Sequence, residues 1–72
     1  MIPIPALVPV VASPIKAVGH DGAALFVSYR TGATYRYPGA PPHLAERIKT
    51  ADCPARCVID NVAGRYRAER VA

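Results

Sequence analysis

The sequence predicts an α+β domain: a small three-stranded antiparallel meander followed by two short helices, with an extended Pro-rich N-terminal arm and a basic C-terminal tail. Three observations carry that reading. Residues 24–30 (Ala-Leu-Phe-Val-Ser-Tyr-Arg) are rich in aromatic and β-branched side chains and alternate faces with a period of two. Turn signals, Asp21-Gly22 and Thr31-Gly32, bracket this run. Beyond Pro38-Gly39 and Pro41-Pro42 the apolar spacing becomes helical, with Leu44, Ala45, Ile48 and Ala51 on one stripe.

Taken in order, residues 1–12 form the arm. Pro3, Pro5 and Pro9 fix φ and lack an N–H donor, so the segment is extended and cannot lie in the middle of a sheet. It is either a loose terminus or an apron laid over the core. The single domain spans residues 13–64, with its first strand over 13–19. Asp21-Gly22 predicts a hairpin with a type I′ turn, in which both residues take positive φ. His20 reads as a solvated turn residue.

The next turn has functional weight. A two-residue loop pairs Arg30 with Ala33 and turns Tyr35 and Tyr37 away from Leu25 and Val27. A three-residue loop (Thr31, Gly32, Ala33) pairs Arg30 with Thr34 and gathers Leu25, Val27, Tyr29, Tyr35 and Tyr37 on one face. The chain has one Phe and no Trp, so its core is short of large side chains and the three-residue loop is favoured. After the first helix, Asp52 or Cys53 caps a second one with Pro54 in its first turn, buried through Val58, Ile59 and Val62 and ended by Gly64. Residues 65–72 form the basic tail, with Tyr66 and Val71 able to pair as an added edge strand.

The order Ser13-Pro14-Ile15, Ala17-Val18-Gly19, Asp21, Leu25-x-Val27-x-Tyr29-x-x-Gly32-x-x-Tyr35-x-Tyr37, Pro41, Leu44, Ala51-x-Cys53, Val62 and Tyr66 resembles the KTSC domain. That small module is named from the C-terminus of some lysyl-tRNA synthetases and also occurs alone in bacterial and phage proteins. Its most recognisable feature, a central Tyr-x-Tyr, is matched by Tyr35-Arg36-Tyr37, and the resemblance runs from Ala12 to Tyr66. The chain departs from the family pattern at His20, Cys53, Ala55 and Ile59. The resemblance implies an α+β fold, no catalytic chemistry and a part in RNA binding. A stand-alone version this short, rich in Ala, Arg and Pro, is also similar to a small phage-encoded protein that binds host RNA polymerase, blocks initiation and acts as an antiterminator.

The residues themselves narrow the function. Seventy-two residues leave little room for a deep water-excluding site, which argues against an enzyme. The formal charge of +4 favours nucleic acid or an acidic protein surface as partner. Cys53 and Cys57 are too few for a disulfide framework and lack zinc-pair spacing, so no metal and no cofactor is expected. No run approaches a membrane span, and the N-terminus lacks a signal-peptide pattern, so a cytoplasmic location and no membrane partner are expected. With Tyr35 and Tyr37 inward, the partner-binding surface is Arg30, Arg36, Arg65, Arg67 and Arg70.

The reading is therefore a non-catalytic module, monomeric when free, that docks on a nucleic-acid machine, foremost RNA polymerase, and regulates transcription. The arm and the tail make the protein contacts. The alternatives are an RNA-binding accessory domain, in which tyrosines stack bases and arginines hold phosphates, and an interaction domain unrelated to nucleic acid.

Overall fold

The computed structural model describes residues 4–12 and 15–72, with the side chains of residues 11 and 12 left aside. One five-stranded antiparallel sheet, in the order β1-β2-β3-β4-β5, carries two helices. The strands are β1 (Val8–Ala12), β2 (Ile15–His20), β3 (Ala24–Tyr29), β4 (Thr34–Pro38) and β5 (Glu69–Arg70). The helices are α1 (His43–Thr50) and α2 (Pro54–Val58), the latter running on into a π-helical turn over Ile59–Ala63.

Five strands replace the expected three. The central meander is β2-β3-β4, and the arm and the tail each add an edge strand to it. Pro9 lies in β1 at the sheet's outer edge, where a missing N–H breaks no interior ladder, and the pairing with β2 shifts register between Pro9 and Ala12. At the other edge Tyr35 opposes Arg70 and Arg36 opposes Glu69, and Val71 N–H donates to the Thr34 carbonyl at 2.8 Å. The first two residues of the expected 13–19 strand lie outside the described residues.

The two turns of the meander differ in how they close. Asp21 N–H donates to the Ala24 carbonyl, so the β2–β3 loop is Gly22-Ala23. Only Gly22 has positive φ (97°), the sign pattern of a turn with Gly at its first central position rather than of a type I′ turn. Asp21 serves instead through its carboxylate, which accepts the Ala23 and Ala24 N–H groups at 2.8 Å each. His20 is not solvated. Its Nδ1 accepts the Gly22 N–H at 2.9 Å and its Nε2 lies 2.7 Å from the Ala40 carbonyl. Because Nδ1 must accept, the proton sits on Nε2, which donates to Ala40. The imidazole thus ties the hairpin to the corner that launches α1.

Between β3 and β4 the loop has three residues, Arg30, Thr31 and Gly32, with Gly32 at φ 96°. It begins one residue earlier than expected. Ser28 opposes Thr34, Val27 opposes Tyr35 and Leu25 opposes Tyr37, a register of the parity that places the tyrosines with the aliphatic residues. On this face Leu25, Val27 and Val18 are fully buried, and Tyr37 is 4% exposed. They pack with Leu44, Ala45 and Ile48 of α1, Val58 of α2 and Val62 of the π-helical turn. Tyr29 and Tyr35 meet edge to face at 5.8 Å at the margin of this core, both half-buried.

The opposite face carries a row that crosses the sheet from Gly19 through Phe26 and Arg36 to Glu69. Phe26 is fully buried there too. Gly19 supplies no side chain, and Leu7 fills that space: a Cβ at Gly19 would lie 2.7 Å from Leu7 Cδ2 and 2.9 Å from the Ala6 carbonyl oxygen. This end of the arm is the apron; residues 1–3 lie outside the described residues.

The second helix also departs from expectation at one residue. The π-helical turn takes an extra residue per turn, which keeps Val58 and Val62 inward and swings Ile59 out to 63% exposure.

Candidate functional site

The five arginines singled out from sequence do not share one surface. Arg30 is exposed in the β3–β4 loop. Arg36 is half-buried on β4, and its Nη1 donates to Glu69 Oε1 at 2.7 Å. Arg70 is exposed on β5 opposite Tyr35, so it lies on the helix side of the sheet while Arg36 lies on the other. Its Nε donates to the Ala72 main-chain oxygen at 3.1 Å. Arg65 and Arg67 are exposed between the π-helical turn and β5.

Charge pairing separates these groups further. Arg36, Lys49 and Arg56 each form an ion pair, with Glu69, Glu46 and Asp60 in turn. Arg30, Arg65, Arg67 and Arg70 form none with an Asp or Glu side chain among the described residues. Asp21 is occupied by backbone N–H groups, which hold its carboxyl below the ordinary value of 3.8. Burial pushes the Tyr37 phenol well above the usual tyrosine range, and Tyr29 beside it adds in the same direction.

One concavity of about 240 Å³ lies between the start of α1 and the end of the π-helical turn. Its walls are Pro41, His43, Leu44 and Arg47 on one side and Asn61, Arg65 and Tyr66 on the other. Pro42 starts α1 in helical conformation, which fixes His43 and puts Arg47 one turn along on the same face. The second wall is fixed by the Val62 carbonyl, which accepts both the Arg65 and the Tyr66 N–H at 3.0 Å. Sequence reasoning reached Arg65 but missed His43 and Arg47, whose i, i+4 spacing was the available signal.

The cysteines make no comparable site. Cys53 is exposed, while Cys57 is half-buried with Asn61 Nδ2 donating to its carbonyl at 3.1 Å. His20 is committed to the Ala40 carbonyl, and among the described residues no three His, Cys, Asp or Glu side chains gather to hold a metal. No described helix is long and apolar enough to cross a membrane.

No family model matches the sequence, and no curated protein matches it significantly. Among solved structures, a KTSC domain protein from Yersinia pestis superposes with a TM-score of 0.84 at 23% identity, over 93% of this chain and 97% of that one. The chain therefore has the KTSC-type fold, a small α+β unit with an antiparallel sheet and two helices.

Proposed function

We propose that this protein is a non-catalytic binding module that docks through exposed arginines on an acidic surface of a nucleic-acid machine, with RNA polymerase the foremost candidate, and so regulates transcription by inhibition or antitermination. The observation that supports this reading is the division of the cations. Arg36 and Arg56 are matched by carboxylates, whereas among the described residues Arg30, Arg65, Arg67 and Arg70 stand exposed without an Asp or Glu partner. Unmatched arginines attract an acidic partner at long range and form bidentate contacts on docking. The excess charge of +4 points the same way. The test is affinity capture of the tagged chain from host extract: co-purification of polymerase subunits supports the proposal, and a capture lacking them overturns it.

A second reading, an RNA-binding accessory domain, is favoured by one observation. Tyr35 and Tyr29 are half-buried at the sheet margin with Arg70 opposite Tyr35, an aromatic and guanidinium pair of the kind that stacks bases. It predicts binding of single-stranded RNA that falls steeply with salt, since phosphate contacts release counterions. Binding that is absent or flat with salt excludes it.

A further inference from the structure

We propose that the groove between the start of α1 and the end of the π-helical turn is a phosphate-binding site, with Arg47 and Arg65 holding the anion and His43 and Tyr66 flanking it. The inference goes beyond docking on polymerase and does not require it.

Four features converge. The groove is concave, and at about 240 Å³ it is smaller than sites for drug-sized ligands, so it suits one phosphate with an attached sugar. Two arginines, Arg47 and Arg65, line it from opposite walls, and among the described residues neither pairs with a carboxylate. The neighbouring acids are spent elsewhere, Glu46 on Lys49 at 2.7 Å and Asp60 on Arg56 at 3.1 Å, so no carboxylate lines the groove. Both walls are preorganised, one by Pro42 at the start of α1 and the other by the two N–H groups, of Arg65 and Tyr66, that donate to the Val62 carbonyl.

The rest of the lining decides what the anion carries. Asn61 donates its amide back to the Cys57 carbonyl, which holds it in place as a neutral part of the wall. Tyr66 is half-buried and packs on the core, so it presents a fixed aromatic surface beside Arg65. A planar guanidinium fork from each side matches the oxygens of a phosphate better than those of a single carboxylate, which one arginine satisfies alone. The start of α1 lies in this wall, and its dipole adds positive potential on the same side.

Nitrogen-15 amide spectra of the full chain, recorded at low salt, test the site with three probes: inorganic phosphate, uridine 5′-monophosphate and a short oligouridylate. Saturable shifts confined to residues 43–47 and 61–66 are expected. Arg47→Ala and Arg65→Ala should each weaken binding about tenfold. Lys16→Ala, an exposed cation on β2 away from the groove, should leave it unchanged. Equal affinity for all three probes supports the site with free phosphate as its source, and tighter binding of the oligouridylate supports it with a nucleic-acid strand as source. No shift in these residues with any probe, or wild-type affinity in both groove variants, overturns the proposal. Polymerase capture by Arg47→Ala, whose residue lies outside the docking set, is scored separately, so failure of one proposal is distinguished from failure of the other.

Discussion

Arg36 and Glu69 face each other across β4 and β5 with Nη1 and Oε1 2.7 Å apart, so an arginine read from sequence as a partner contact also fastens the C-terminal strand to the sheet. Glu69 is 43% exposed, so solvent screens the pair and its contribution is about 0.5–1 kcal/mol. A double-mutant cycle of Arg36→Ala and Glu69→Ala should give a coupling in that range, shrinking with added salt. Hydrogen exchange at Thr34 and Val71 should quicken in either single variant.

Gly19 predicts a stronger effect from a smaller change. Gly19→Ala places a methyl group 2.7 Å from Leu7 Cδ2 and 2.9 Å from the Ala6 carbonyl oxygen, so the arm must move off the Phe26 face. Overpacking of this kind costs about 1–3 kcal/mol. Chemical denaturation should show that loss, with β1 amides losing protection before those of β3.

Tyr37 sets the alkaline limit of stability. Its folded pKa is raised by burial, so between about pH 10 and the folded value only the unfolded chain releases the proton. Stability is therefore fully present below about pH 10 and falls as pH rises beyond it. Urea midpoints measured across this range should drop for the wild type. Tyr37→Phe should remove most of that slope.

Asp21 acts in the opposite direction at low pH. Its carboxylate accepts two backbone N–H groups and its pKa is lowered, so its contribution is present above the ordinary value of 3.8 and is lost as pH falls through the folded value. The acid limb of the stability profile should flatten in Asp21→Asn, which keeps an acceptor oxygen without the titrating charge.

Much of the fold was legible because its signals are local. The alternation in residues 24–30, the glycines at 22 and 32 and the Pro41-Pro42 helix start each correspond to an element. The shortage of large residues was enough to choose the register parity, because Leu25, Val27 and Tyr37 have to share one core. The edge strands were less legible. The prolines excluded the arm from the middle of a sheet but did not reveal its edge pairing, and the tail, read as an added edge strand through Tyr66 and Val71, pairs through Glu69–Arg70, whose two residues have no period to detect. Ile59 turned outward because a π-helical turn changes the phase that a 3.6-residue repeat assumes. The groove was not legible at all as a unit. His43 and Arg47 resemble any solvated helix face until residues 61–66 are folded against them.

The most direct test of the central claim, that exposed arginines and not tyrosines make the docking surface, is quantitative polymerase capture by Arg65→Glu, Arg67→Glu and Arg70→Glu combined. These side chains are exposed and form no ion pair with Asp or Glu among the described residues, so the fold should survive the change. The account predicts at least about a hundredfold loss of capture from reversing three contacts. Capture equal to the wild type by the folded triple variant would contradict it.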